Sequence, residues 1–247
     1  MKNIIAMLIM LGFLFLSFKV IKNFEFGHDF ISAQVNKENI SKDRSELAGK
    51  HYLENNKKEN NSANVVTSIV VSYRGFDTLG EVTVLFLAAT GLGVILSRRK
   101  EGEEEEKEES KDEELSLIVK AASKILFPMI FLFGVYVFIH GHLTPGGGFQ
   151  GGTIIATAYL MMFLSYSDFK INHSIFKSIE SFSGIAFITI GLVGLVTAGV
   201  FLKLDLIGMG TFNTLFSAGL IPVVYIIVGF KVGSELTAVV DSYRENW

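Results

Sequence analysis

The sequence predicts an all-α polytopic membrane protein, with about six transmembrane helices in two modules joined by an acidic linker. Three observations predict it. Of 247 residues, 49% are hydrophobic and 22 are phenylalanine, and mean hydropathy is +0.43, a composition suited to a bilayer rather than to water. Apolar runs close to the length of a membrane span recur along the chain. Residues 101–114 carry ten acids and two lysines, a block whose like charges repel and keep it solvated as a hinge. Cysteine is absent, so disulfides, iron–sulfur ligation and thiolate chemistry are excluded within this chain.

Residues 1–22 read as an N-terminal transmembrane anchor, with Ile4 to Val20 apolar behind Lys2. No small-x-small cleavage site precedes Lys19 and Lys22, which favours a retained anchor over a signal peptide. Residues 23–63 form a polar, asparagine-rich extracytoplasmic loop. Its length exceeds that of a simple connection, so it is either disordered or ordered by docking on a neighbour.

Residues 64–97 fall into two parts. Val65 to Tyr73 is rich in β-branched residues and fits a strand or a helix. As a helix it puts Val66, Ile69, Val70 and Tyr73 on one face, the pattern of a surface-lying amphipathic segment. Gly75 permits a bend before the apolar run Val82 to Leu96. Arg98, Arg99 and Lys100 then mark a cytoplasmic end, and residues 98–116 form the acidic cytoplasmic linker. The second module, 117–247, is expected to hold spans at about 117–139, 150–167, 180–202 and 213–234, the first kinked by Pro128. Six spans return both termini to the cytoplasmic side. Lys170 and Lys177 in one short connection, against Lys203 in the other, agree with that orientation.

Between the first two spans of this module lies HGHLTPGGGFQGG: His140, His142, Pro145, Gly146, Gly147, Gly148, Phe149, Gln150, Gly151 and Gly152 are its informative residues. Proline and glycine oppose helix continuation, so the stretch is a tight turn-back, and irregular backbone near membrane depth requires protein or water around it. A plain inter-helix loop is the simplest account. Gly146, Gly148 and Gly151 match GxGxxG, but an apolar helix rather than a strand precedes them, which removes the dinucleotide reading. His140 and His142 could ligate a metal; without a nearby third ligand they read as interfacial hydrogen-bonders.

Four side chains could carry ion chemistry: Arg74, Asp77, Glu81 and Glu180. Asp77 and Glu81 share a helix face, and Arg74 can neutralise one of them and leave the other to titrate. The nine Val, Leu, Ile and Phe residues of 82–96 supply roughly 3–5 kcal/mol of insertion energy. One central charge costs about 2.5–3.5 kcal/mol, so the run tolerates one buried acid. Asp77 is therefore expected near the interface as a cap or partner of Arg74. Glu81 is expected deeper, facing protein or water, its plainer role being a dipole partner at a helix start. Glu180 is either an N-terminal dipole partner or a proton-relay acid. Lys231 and Glu235, four apart, read as a helix-surface pair worth about 0.2–0.5 kcal/mol. The glycines at 184, 191, 194 and 199 read as allowing close helix packing.

The string His140–Gly152 closely resembles the signature of the B subunit of Mrp-type (Mnh) multisubunit sodium/proton antiporters, and the likeness covers about Leu117 to Leu236. Asn64 to Ile95, with RGFDTLGE at its centre, resembles the C-terminal part of the large A-type antiporter polypeptide, which in membrane-bound hydrogenases stands alone as a small E-type subunit. The resemblance implies that Glu81 matches an acid near the sodium or proton path. It implies a membrane subunit of a cation (Na+)/proton antiporter module, contributing to ion translocation and assembly. The alternative is a structural bridging subunit in the antiporter-like arm of a membrane-bound hydrogenase or related respiratory complex. The partners so implied are A-, C-, D-, E-, F- and G-type membrane subunits, hydrogenase or other redox subunits in the alternative, and the lipid bilayer; nucleic acid is not expected. No cofactor, metal or enzyme activity is expected of this chain. Na+ and H+ are the expected transported ions, and the expected location is the cytoplasmic membrane, multi-pass.

Overall fold

The structure, a computed structural model, describes residues 44–102, 116–203 and 207–245. The expected anchor at 1–22 and most of the acidic linker lie outside these. The described residues are helical throughout their regular parts, with no strand. The chain divides at Glu54 into two compact units. The described part of the first is the opening of helix α1 (Arg44–Glu59), where Lys50 and Glu54 form an exposed pair at 3.8 Å. A helix thus occupies part of the stretch expected as a polar loop.

The second unit, from Asn55 onward, holds the remaining helices. Asn64 opens α2 (Val65–Ser68) by accepting from the Val66 and Thr67 amides, the usual work of an N-cap. The chain continues through a π-helical turn, Ile69–Tyr73, breaks at Arg74 and starts again as α3 (Gly75–Gly102). The bend expected at Gly75 is therefore present. The buried face of the preceding segment is Thr67, Ser68 and Val71, and Val66 is 66% exposed. Of the face read from Val66, Ile69, Val70 and Tyr73, Val66 points away from the chain's own core while Val70 packs against it. The polar side chains turn inward because backbone carbonyls wait there for a donor, as described below.

Among the described residues, four helices are long and apolar enough to cross a membrane: Gly75–Leu96 within α3, α4 (Leu117–Ile139), α6 (His173–Ala198) and Ile221–Arg244 within α7 (Ile221–Glu245). Pro128 sits inside an α4 that continues past it. The 18-residue α5 (Gly148–Ser165) is not among the four, and its most extensive packing is on α4 and α7. Glycine makes this possible. A Cβ on Gly151 would lie 2.6 Å from the Gly134 carbonyl oxygen of α4, and one on Gly152 would lie 2.8 Å from the Gly229 carbonyl oxygen of α7. Small residues let helix backbones approach in this way.

Two expected boundaries move. The span placed at 180–202 begins at His173, capped by the Asn172 side chain, and ends at left-handed Gly199 (φ 70°). Its polar first turns hide the start from a hydropathy reading. The span placed at 213–234 begins only at Ile221. Residues 207–220 form bends and turns, with Asn213 and Ala218 at φ 64°, although apolar side chains there imitate a helix. Gly191 and Gly194 do not seat another helix: added Cβ atoms would strike the Phe201 ring and the Lys203 backbone of the returning loop.

Overpacking a tight core costs about 1–3 kcal/mol and occasionally more. Gly152→Leu is expected to abolish accumulation of folded protein, because the Gly229 backbone cannot yield. Gly91→Ala, where nothing lies within 4 Å, should leave it unchanged. Gel filtration of fluorescently tagged variants in mild detergent measures both.

Candidate functional site

The glycine-rich turn is held by the segment before α3. Asn64 donates from its amide to the His142 carbonyl at 3.0 Å and from Nδ2 to the carbonyls of Gly141 and Thr144 at 2.9 and 3.0 Å. Ser62 Oγ reaches the His142 carbonyl at 2.9 Å, and Thr67 Oγ1 reaches that of Gly141 at 2.7 Å. Tyr225 of α7 donates to Thr67 Oγ1 at 3.1 Å. A turn with glycine and proline leaves carbonyls without helical partners, and this clasp supplies donors for them. His142 is fully buried, with Nε2 3.3 Å from the Thr214 carbonyl. Burial lowers its pKa from the ordinary 6.5, opposed by that carbonyl and reinforced by His140. His140 instead stacks on Tyr136 at 4.1 Å. Among the described residues no group of three His, Asp or Glu side chains could hold a metal.

At the start of α3, Arg74 and Asp77 pair at 2.5 Å with both side chains largely exposed. Glu81 lies one turn further on, on the outer surface of the chain. The positions of this stretch that turn into the chain's own core are Thr78 and Val82, so Glu81 faces away from it.

The second set of charges is buried. Lys231 Nζ meets Glu235 Oε1 at 2.5 Å near the middle of α7, with side chains only 7% and 1% exposed. This corrects the reading of the two as a helix-surface pair. The Phe86 ring lies 5.3 Å from the ammonium, and Glu235 Oε2 has no hydrogen-bond partner among the described residues. A cleft of about 140 Å³ adjoins the pair, lined by Ala89, Thr90 and Gly93 of α3, Glu180 of α6, and Glu235 and Ser242 of α7. Glu180 is thus brought to Glu235, while Arg74, Asp77 and Glu81 do not line that cleft. Toward the end of α7, Asp241 is buried, accepts from Arg244 Nη2 at 2.9 Å and lies 3.2 Å from His173 Nε2. Arg244 also donates to the Phe169 carbonyl at 2.6 Å.

Residues 118–238 match the domain related to the MnhB subunit of Na+/H+ antiporters, and residues 27–112 match MbhE, the E-type subunit of MBH. A chain of the membrane-bound sulfane sulfur reductase (MBS), an archaeal respiratory membrane complex, is 38% identical, with a TM-score of 0.71 over 98% of this chain and 97% of that one. The chain belongs to the MnhB-related subunit family, with an MbhE segment ahead of the MnhB domain. It is an antiporter-like membrane subunit of a respiratory or antiporter complex. The probable K+/H+ antiporter A/B polypeptide of Rhizobium meliloti is 28% identical over 49% of this MnhB-related chain, which spans only 14% of that protein's length. The Mrp complex from Dietzia sp. DQ12-45-1b shares the fold, with a TM-score of 0.64 at 23% identity over 87% of this chain and 24% of that one.

Within this MnhB-related subunit, the clasp from Ser62 to Thr67 joins the MbhE segment to the first turn of the MnhB domain. Sequence reasoning missed the buried pair. The available signal was two opposite charges in the middle of an apolar run, flanked by Gly229, Gly233 and Ser234, residues small enough for neighbours to close over them.

His142 yields a pH prediction. Its folded-state pKa lies below the unfolded value, so the unfolded state binds more protons as pH falls through 6.5. Stability is fully present above pH 6.5 and is lost on acidification below it. Thermal melting of purified protein from about pH 8 to about pH 5 should show this loss, and His142→Gln should flatten the profile.

Proposed function

We propose that this subunit supplies a carboxylate to the ion path of a cation/proton exchanging complex, with Na+ and H+ as the ions moved. The single observation that carries the reading is Glu81 on the outer surface of a membrane-spanning helix. A charge at membrane depth costs about 2.5–3.5 kcal/mol on insertion scales, so lipid is a poor neighbour for it. Asp77 is already neutralised by Arg74 at 2.5 Å; Glu81 carries the remaining charge and calls for another membrane subunit, of the A-, C- or D-type, or for water between subunits. In this reading the chain performs no covalent chemistry, any redox step belongs to partner subunits, and both termini face the cytoplasm across the cytoplasmic membrane.

A bridging role is the second reading, favoured by the near full-length likeness to a chain of the sulfane sulfur reductase complex. Exchange assays on everted vesicles containing the whole complex separate the two. Glu81→Gln is expected to lower cation/proton exchange at least tenfold while the complex still assembles. Unaltered exchange after neutral replacement of both Asp77 and Glu81 would instead support a purely bridging subunit. Iron–sulfur or nickel–iron partners copurifying in mild detergent would identify the larger assembly as a redox complex.

A further inference from the structure

We infer that Glu235 and Glu180 form a proton-exchange site inside this subunit, with Lys231 as the fixed counter-charge. The inference rests on the reading of the chain as part of an ion-exchanging assembly and adds a site separate from Glu81. Three observations carry it. The Lys231–Glu235 pair lies at 2.5 Å near the centre of a membrane span, almost fully enclosed. Only one carboxylate oxygen is used by the ammonium; Oε2 is buried and has no hydrogen-bond partner among the described residues. That carboxylate lines a cleft of about 140 Å³ whose other acid is Glu180, large enough for several waters.

The charge balance calls for one monovalent cation, and the ammonium beside the site favours a proton held on a carboxylate over a free metal cation. With Lys231, Glu235 and Glu180 all ionised, the site carries one net negative charge, which one proton cancels. A sodium ion drawn to the Thr90 and Ser242 hydroxyls and the two carboxylates would sit close to the Lys231 ammonium and be repelled by it. Among the described residues, the contacts this stretch makes with α3, α4 and α5 are with uncharged side chains. α5 meets it with Gly152 and Ile155, α4 with Phe138, and α3 with Phe86, Ala89, Leu92 and Gly93. α6 brings Gly184 toward the Lys231 side chain and Glu180 toward the cleft. In the step itself, the Glu235 carboxylate takes a proton from a hydronium ion in the cleft, leaving water. The proton then passes through water to a carboxylate oxygen of Glu180, and Glu235 returns to its ion pair. Lys231 keeps its proton throughout and positions the Glu235 carboxylate.

The test uses the assembled complex in vesicles, with proton and sodium movements followed separately across a pH series. Glu180→Gln leaves the buried pair intact, and is expected to slow proton movement at least tenfold or to shift the pH optimum by about one unit. Glu235→Gln is expected to do the same. The double variant Lys231→Met/Glu235→Gln removes both buried charges together and guards against a folding failure from an orphaned ammonium; Glu235→Asp should recover part of the rate. Proton movement with unchanged rate and pH profile in Glu180→Gln or in the double variant overturns the inference. Proton flux retained in these variants with only sodium affinity lost overturns it too, in favour of a cation site. Loss of exchange in Glu81→Gln alone, with all of these variants active, would keep the proposed function and reject this site. Absence of exchange in the parent complex would instead reject the reading on which the site depends.

Discussion

Backbone-to-backbone approach of α5 against α4 and α7 is the constraint on which the rest of the molecule depends. Gly134 and Gly151 face each other across one contact, Gly152 and Gly229 across the other, at distances that leave no room for a Cβ. A membrane bundle gains little from hydrophobic burial between helices, so close packing of small residues has to hold it together. The contact also sets where the chain can turn. Because α5 must start against Val228 and Tyr225, the connection from α4 is confined to the stretch between His140 and Gly147, and its free carbonyls need donors from elsewhere.

Those donors come from the MbhE segment, and this ties two modules of the sequence into one packed unit. Ser62, Asn64 and Thr67 place hydroxyl and amide donors on the carbonyls of Gly141, His142 and Thr144. Nearby, Asn61 donates to the carbonyls of Met209 and Gly210, so the loop before α7 is held by the same short stretch. Polar satisfaction, rather than apolar burial, therefore orients α2, and it carries α3 into place alongside α7.

With α3 so placed, α7 can hold charge. Lys231 and Glu235 are each costly in a low-dielectric interior, and removal of either partner leaves the other uncompensated. Phe86 of α3 lies over the ammonium, and the cleft shared with Glu180 lies beside the Glu235 side chain, whose second carboxylate oxygen is buried without a partner among the described residues. Glu81 stands apart from this, on a face of α3 that the subunit does not cover itself.

The helical class, the membrane habit, the turn at His140–Gly152 and the family were legible in the sequence, because apolar run length, proline and glycine act locally and motif spacing survives without coordinates. The start of α7 at Ile221 and the start of α6 at His173 were not, since apolar turns imitate a helix and a polar first turn hides one. Of the candidate ion-path residues, the pairing of Arg74 with Asp77 could be read from spacing alone. The meeting of Glu180 with Glu235 could not, because residues so far apart in the chain are joined only when α6 and α7 pack. Burial of Lys231 and Glu235 was likewise a decision of the tertiary structure: an i,i+4 pair looks the same in sequence on a wet surface and in a closed core, and only the neighbours on α3, α5 and α6 separate the two.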